Sequence, residues 1–379
     1  MTLAIRELLA APPPLAPAAI DAFFAGRSFP IIEGGTVTFV YRGEADAVYL
    51  QHWIYGLESA QPFLRVEGTD LWYLLQEIPV RSRVEYKLEV RSGDVARLIR
   101  DPLNPDLAHD PFGANSVCHG AEYAEPEWAR PDTETRPGAL EKMVVASAAL
   151  DRDETLSVYL PARFRATRSY PLLVVHDGLD YLRFAALRTV LDNLTHRGEI
   201  APMVVALTQS RYRLGEYAAD ERHVRFVVSE LLPALEAKYP LAPGARNRGL
   251  MGASFGAVAS FSTAVRYPTL FGRLLLQSGS FAFTDIGVSR RGPVFEPVVE
   301  FVNRYRERPV RFADRVFVSC GVYESLIYEN RSLVPLLQRT GMDVRYVEAW
   351  DGHNWENWRD RLREGLSWLF PGPLWMVYE

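Results

Sequence analysis

The chain has 379 residues, which exceeds one typical domain and is long enough to bury a large core. Its hydrophobic content of 48% and its charged content of 23% are ordinary for a globular protein. A net charge of −5 without a basic cluster argues against nucleic-acid and membrane-surface partners. Cys118 and Cys320 lie far apart without metal-ligand spacing, so we expect two buried thiols and no metal site.

An apolar stretch near the N-terminus, residues 8–19, is the candidate for an export signal. Four prolines interrupt it and Glu7 precedes it, whereas a signal peptide has a continuous apolar core after a basic start. No run in the sequence is long enough to cross a bilayer. We therefore expect a cytoplasmic protein.

Residues 1–120 carry the pattern of a β domain. Residues 84–91 alternate apolar and charged side chains, residues 36–41 follow a similar period of two, and an aromatic run begins at Asp70. Short strands at this spacing, separated by turns such as that at Gly43, predict a β-sandwich. Residues 121–138 are acidic and contain three prolines, which indicates a linker or a surface strap.

From residue 139 to residue 379 the pattern changes to alternating strands and helices. After a hairpin at 143–160, apolar strands are predicted at 170–175, 203–207, 250–251, 274–277, 316–319 and 344–347. Helices are predicted at 185–196, 224–238, 257–266, 329–339 and 356–369. The alternation predicts an α/β fold with a mostly parallel sheet covered on both faces, where ligands bind at the carboxyl ends of the strands.

The run from Gly252 to Gly256 has the G-x-S-x-G spacing of a nucleophile elbow around Ser254. Such an elbow holds a serine on a tight turn between a strand and a helix, and its glycines leave the room that the turn needs. A short apolar strand precedes this run and a helix-competent segment follows it. The context therefore predicts that Ser254 is a nucleophile.

A serine nucleophile needs a base that is neutral near pH 7, and histidine is the usual one. An α/β-hydrolase has the chain order serine, acid, histidine, and His353 both follows Ser254 and comes directly after the last strand. The acid should follow the penultimate strand, which favours Glu324. Glu329, Asp351 and a Ser–His pair without an acid remain alternatives.

The oxyanion of an acyl-transfer intermediate needs two backbone donors. One is expected from the amide of Phe255, directly after the nucleophile. The second should come from the loop after the first buried strand, where the amide of Leu179 or of Gly178 is the candidate. Asp177 is expected to fix this loop.

Taken together, these motifs resemble the Fes-type enterochelin esterase branch of the esterase D family of α/β-hydrolases. The resemblance covers nearly the whole chain. It rests on an Asp-Gly loop, an Arg-x-x-Glu pair, a strand ending in Gly-x-x-Glu, and a terminal His-x-Trp-x-x-Trp-Arg run. The matching residues are Asp177 and Gly178, Arg213 and Glu216, Gly321 and Glu324, and His353, Trp355, Trp358 and Arg359.

The resemblance implies an N-terminal immunoglobulin-like domain and a serine esterase that releases iron from ferric catecholate siderophores in the cytoplasm. It implies substrate-binding roles for Asp177, Gly178, Arg213, Glu216 and Trp355. The chemistry requires no cofactor, and iron arrives with the small-molecule substrate. Cations for an anionic substrate are sought at Arg213, Arg290 and Arg291. A monomer and a homodimer are both compatible with the sequence.

Two alternatives remain open at this point. The same superfamily includes feruloyl and acetyl esterases, so another acyl conjugate is a second candidate substrate. A protein of a different class, which binds glycans on a relict hydrolase fold, could stack sugars on Trp53, Trp72 and Tyr73. Aromatic side chains of this kind more often form the core of a sandwich, and the Ser254, Glu324 and His353 set argues for an enzyme.

Overall fold

The computed structural model describes residues 2–12, 14–283 and 292–373. The chain folds into two compact units. The first unit contains Met1–Ala124 together with two short later segments, Val322–Glu324 and Ala349–Asn354. The second unit contains Glu125–Gly321, Ser325–Glu348 and Trp355–Glu379.

The first unit is built from ten strands and two short helices within its described residues. The helices are α1 (Ala4–Leu9) and α2 (Pro17–Phe24). The strands are β1 (Ile31–Glu33), β2 (Thr36–Arg42), β3 (Ala47–His52), β4 (Ala60–Pro62), β5 (Leu64–Arg65), β6 (Leu71–Glu77), β7 (Arg83–Ser92), β8 (Val95–Ile99), β9 (Leu107–Asp110) and β10 (Gly113–His119). One sheet has the order β1-β2-β6-β5, and the other has the order β4-β3-β7-β10-β9, with β8 also paired to β7.

The two sheets of the first unit share a core, as the period-two pattern predicts. Phe39 of β2 contacts Tyr86 of β7 edge to face, with 4.9 Å between the ring centres. Val48 and Leu50 of β3 are buried in the same cluster, while the alternate residues of this strand are only half-buried. On the other face of the four-stranded sheet, Phe23 of α2 packs in a second apolar cluster. Both faces of this sheet are therefore covered.

The second unit contains one eight-stranded sheet with the order β11-β12-β14-β13-β15-β16-β17-β18. The strands are β11 (Ala139–Ser147), β12 (Arg152–Leu160), β13 (Leu172–Val175), β14 (Val204–Leu207), β15 (Arg248–Ala253), β16 (Arg273–Gln277), β17 (Arg315–Gly321) and β18 (Asp343–Ala349). β11, β12 and β14 pair antiparallel, and β14, β13, β15, β16 and β17 pair parallel. The central parallel strands are buried on both faces, which explains their unbroken apolar sequences.

Helices connect the strands of this sheet. They are α3 (Gly178–Phe184), α4 (Leu187–His196), α5 (Arg213–Glu216), α6 (Glu221–Arg225), α7 (Leu232–Lys238), α8 (Phe255–Arg266), α9 (Glu296–Glu307), α10 (Ile327–Arg339), α11 (Trp355–Asp360) and α12 (Leu362–Leu369). A π-helical turn over Phe226–Leu231 joins α6 to α7. The predicted helix at 257–266 is confirmed as α8, whereas the single helix predicted at 356–369 is divided into α11 and α12.

The stretch that we predicted as a linker is largely part of the second unit, which begins at Glu125. The side-chain amide of Asn193 donates to the carbonyls of Trp128 (2.9 Å) and Arg130 (2.8 Å). Ala129 is buried in the core of this unit. These ties hold the segment on α4.

Both cysteines are buried, and burial raises the pKa of the Cys118 thiol to about 12. Among the described residues, no helix is long and apolar enough to cross a membrane. The same residues contain no group of three or more histidine, cysteine or carboxylate side chains arranged to hold a metal ion.

Candidate active site

Ser254 lies on a sharp turn between β15 and α8. Its φ of 56° and ψ of −121° are strained for a residue with a side chain, as expected for a nucleophile elbow. A Cβ atom on Gly252 would lie 2.3 Å from the carbonyl carbon and oxygen of Gly256. A Cβ on Gly256 would lie 3.2 Å from Asp177 Oδ2 and from His176 Cβ. Gly252 is therefore required for space, whereas a Cβ on Gly256 would make a tight contact with its neighbours. The turn is the one that the spacing predicts.

The serine is held by the segment that follows β16. Its backbone N–H donates to the carbonyl of Gln277 at 2.9 Å, and its carbonyl accepts from the N–H of Ser280 at 3.2 Å. The Oγ atoms of Ser254 and Ser280 are 3.2 Å apart. The sequence reasoning did not assign Ser280 to the site, although its place after a buried parallel strand could have indicated it.

Glu324 and His353 form a close pair. Glu324 follows β17, His353 follows β18, and His353 Nδ1 lies 2.6 Å from Glu324 Oε2. The glutamate side chain is 1% exposed and the histidine side chain is 38% exposed. When Nδ1 donates to the carboxylate, Nε2 is left as the nitrogen that can accept a proton. This geometry is one in which a histidine can serve as a general base and a carboxylate can orient it.

The two rival carboxylates have other surroundings. Asp351 Oδ1 accepts from Arg83 (3.1 Å), from the side-chain amide of Asn354 (2.8 Å) and from the N–H of Gly352 (2.7 Å). Burial raises the pKa of Asp351 to about 6, against the opposing charge of Arg83. Glu329 is buried in α10. The carboxylate that meets His353 Nδ1 is that of Glu324.

Two amides stand at the N-terminal ends of α3 and α8. The N–H of Gly178 donates to the carbonyl of Thr208 at 2.7 Å, which removes it from the two oxyanion candidates in this loop. Among the described residues, the amides of Leu179 and Phe255 have no such acceptor, because the first N–H groups of a helix lack intrahelical partners. A Cβ on Gly178 would lie 2.5 Å from Leu207 Cα, so this position requires glycine.

Asp177 and Arg213 form an ion pair next to the elbow. Arg213 Nε lies 2.9 and 2.8 Å from the two oxygens of Asp177, and Nη2 lies 3.4 Å from the carbonyl of Ala253. The Asp177 side chain is 1% exposed, and burial raises its pKa while Arg213 opposes that effect. A third of the Arg213 side chain remains exposed. The pair thus links the loop before α3 to the end of β15.

Glu216 and Trp355, two further residues predicted to bind substrate, are buried among partners of their own. Glu216 is 4% exposed and accepts from Arg152 and from Ser210 Oγ, each at 2.5 Å. Trp355 is 8% exposed, and its ring contacts Tyr181 edge to face at 5.1 Å. Arg290 and Arg291 lie outside the described residues.

A buried pair of histidines contacts helix α8, which follows the serine turn. His176 Nε2 lies 3.1 Å from His223 Nε2, and His176 Nδ1 lies 2.9 Å from Ser260 Oγ of α8. Burial lowers the pKa of His223 to about 3 and lowers that of His176 well below its ordinary value. Both rings are therefore neutral at physiological pH, a feature that the sequence reasoning did not single out.

Comparison with known proteins shows the family to which the chain belongs. The Esterase family model matches residues 147–369, which is more than half of the chain. The chain belongs to this esterase family. The iron(III) enterobactin esterase of Escherichia coli (strain K12) is 24% identical over 340 residues, 82% of this chain and 82% of the relative.

Solved structures give the same picture for the fold. The ferric enterobactin esterase of Salmonella typhimurium has a TM-score of 0.74 at 22% identity, covering 92% of this chain and 98% of that chain. A ferulic acid esterase from Anaeromyces mucronatus has a TM-score of 0.53 at 16% identity, covering 64% and 94%. The mixed α/β fold is therefore similar to that of the enterobactin esterases. The predicted resemblance to enterochelin esterases is confirmed, and the esterase is a carboxylic ester hydrolase.

Proposed function

We propose that this esterase hydrolyses the ester bonds of a ferric catecholate siderophore of the enterobactin type, with Ser254 as nucleophile. The observation that carries the mechanism is the 2.6 Å contact between His353 Nδ1 and Glu324, which leaves Nε2 as the base. Ser254 stands on a strained elbow at the end of β15, the position in which such folds expose a nucleophile.

The proposed reaction has two half-reactions. His353 Nε2 accepts the proton of Ser254 Oγ while Oγ attacks the ester carbonyl, and the amides of Leu179 and Phe255 bind the oxyanion. The tetrahedral intermediate collapses, and the leaving alkoxide takes the proton from His353. Water activated by His353 then hydrolyses the acyl-enzyme and restores the serine. No step requires a metal or an organic cofactor, because the base and the two amides supply the proton transfers and the charge stabilisation.

The substrate proposal draws support from the enterobactin esterases to which the chain is similar. The partly exposed Arg213 is a candidate contact for an anionic ligand. Gly178, Glu216 and Trp355 stay proposed substrate-binding positions on the family resemblance alone. We further propose that the first unit is an immunoglobulin-like sandwich, that the second is an α/β-hydrolase domain, and that the protein acts in the cytoplasm. The proposed partner is a small molecule, with neither nucleic acid nor membrane involved, and the protein acts as a monomer or a homodimer.

A feruloyl or acetyl conjugate is the second candidate substrate, because the fold is also similar to that of a ferulic acid esterase. Glycan stacking has less support. Trp72 is 5% exposed and its indole N–H donates to the carbonyl of Gly43 at 3.1 Å, so this ring belongs to the core of the first unit. Tyr73 is partly buried, and Trp53 is exposed.

The test compares ferric enterobactin with a feruloyl ester, using the wild type and Ser254→Ala in parallel. We expect turnover that strongly favours the ferric trilactone, and a loss of roughly a thousandfold or more in kcat for the variant. Near wild-type turnover by Ser254→Ala would end the proposed mechanism. Serine-dependent turnover of the feruloyl ester alone would keep the mechanism and replace the siderophore.

A further inference from the structure

The loop that carries His353 is held by the first residue of β7. Arg83 Nη1 donates to Asp351 Oδ1 at 3.1 Å and to Asn354 Oδ1 at 2.9 Å. The backbone N–H of Arg83 also donates to the carbonyl of Trp350 at 2.9 Å. These contacts fall on both sides of His353 along the chain, so one arginine fixes the backbone on which the histidine ring is mounted.

The segment that carries Glu324 is held by the residue before Arg83. The hydroxyl oxygens of Ser82 and Tyr323 are 2.7 Å apart in a buried contact. The carbonyl of Tyr323 accepts from the N–H of Tyr55 at 2.8 Å. The N–H of Tyr323 donates to the carbonyl of Asp351 at 3.1 Å. Ser82 and Arg83 thus contact the two segments that carry the glutamate and the histidine.

The tie is a buried charge network. Arg83 is 2% exposed, and its second terminal nitrogen contacts Glu85 Oε1 at 3.1 Å. Asp351 is 5% exposed. Removing one member of such a pair leaves an uncompensated buried charge, and the rigid guanidinium fork holds its partners in one geometry in a way that a lysine ammonium does not.

We propose that Arg83 is a positioning residue for ester hydrolysis, which holds the 351–354 loop so that His353 keeps its hydrogen bond to Glu324. Arg83 acts through the loop and not on the substrate. The inference rests on the proposed roles of His353 and Glu324. Strand β7 of the first unit would thereby help to align the catalytic histidine. Such alignment matters because the misplacement of a catalytic group by about 1 Å can cost on the order of a hundredfold in rate.

The experiment measures kcat and KM separately for Arg83→Met and Arg83→Lys on the ester that the wild type hydrolyses best. We expect Arg83→Met to lose about 10- to 100-fold in kcat with KM unchanged. Arg83→Lys should recover part of that loss, because it restores the charge without the fork. Arg81→Met is the matched control, since Arg81 is 79% exposed and pairs with the exposed Glu122; it should retain wild-type kcat and KM.

A second variant, Asn354→Ala, tests the same loop with a smaller change. It removes one acceptor of Arg83 and one donor to Asp351, but it keeps both members of the Arg83–Asp351 ion pair. We expect this variant to fold and to lose kcat by several-fold. Unchanged kcat in folded Arg83→Met, or a change confined to KM, would overturn the inference. If Arg83→Met does not fold, unchanged kcat in Asn354→Ala would overturn it. Ser254→Ala separates the two proposals: its retained turnover removes the mechanism, whereas an inactive Ser254→Ala beside a fully active Arg83→Met removes this inference alone.

Discussion

The serine and the histidine–glutamate pair are held in place by two different means. The turn that carries Ser254 is formed by the backbone of one continuous stretch, in which a side chain on Gly252 would collide with Gly256. The 351–354 loop depends in addition on side-chain contacts, and its ion pair between Arg83 and Asp351 joins residues 268 positions apart in sequence. A local steric requirement leaves a motif in the sequence, whereas a long-range polar tie leaves none.

The largest expected effect is a loss of kcat on changing the histidine–glutamate pair. Glu324→Gln keeps the shape of the acid but replaces the carboxylate that accepts from His353 Nδ1. By analogy with triads in which the orienting acid is made an amide, kcat should fall by about 10³- to 10⁴-fold. Glu329→Gln is the control, because Glu329 is the rival carboxylate on α10. Steady-state kinetics in which Glu329→Gln is the more damaging variant would exchange the two roles.

The steric requirement at the serine turn can be tested by adding one methyl group. In Gly252→Ala the new Cβ would lie 2.3 Å from the backbone of Gly256, so the elbow must shift. We expect a decrease of about 3 kcal/mol in the free energy of unfolding, measured by denaturant titration. Gly215→Ala, at an exposed helical site where a Cβ meets nothing within 4 Å, should not lower this free energy, because alanine favours a helix more than glycine does. Equal stability of the two variants would contradict the steric account of the motif.

The smallest expected effect is on the pH dependence of stability, through the buried His223 beneath the serine turn. The pKa of His223 is lowered to about 3 by burial, whereas in the unfolded chain histidine titrates near about 6.5. Between these values the unfolded chain binds a proton that the folded protein does not. The free energy of unfolding is therefore undiminished above about pH 6.5 and falls as the pH decreases through this window.

In His223→Gln this contribution disappears. The loss of unfolding free energy between pH 7 and pH 5 should then be about 2 kcal/mol smaller than in the wild type. His109→Gln provides a control for the substitution itself, because His109 lies at an exposed position. An identical dependence in His223→Gln and the wild type would show that this ring accepts a proton in the folded state.

Much of the fold and part of the site follow from local sequence patterns. The buried strands of the second unit and helix α8 are found where apolar runs and small residues predict them. The sequence does not reveal α3, because its helix begins directly at Gly178 in a loop whose left-handed Asp177 (φ 55°) depends on tertiary contacts. The break between α11 and α12 likewise has no glycine or proline to announce it.

Within the site, sequence order and motif spacing are enough to select Ser254, Glu324 and His353 as candidates. They cannot select Arg83, because a residue in the alternating strand β7 has the same pattern whether it points to solvent or to a buried carboxylate. Ser82, which directly precedes β7, is not distinguished by the sequence pattern either. The role of Ser82 depends on its contact with the hydroxyl of Tyr323, which lies 241 positions away in sequence.

The Arg83–Asp351 pair also restricts how this protein can diversify. A mutation of Arg83 alone would leave the buried Asp351 without this arginine, and a mutation of Asp351 alone would take one carboxylate from the buried Arg83, which also pairs with Glu85. The two codons are therefore expected to change together. A chimeric gene that joins codons 1–120 of one homologue to the remainder of another would inherit one partner from each parent. Such recombinants should remain active when both parents carry this pair, and lose activity when one of them has replaced it.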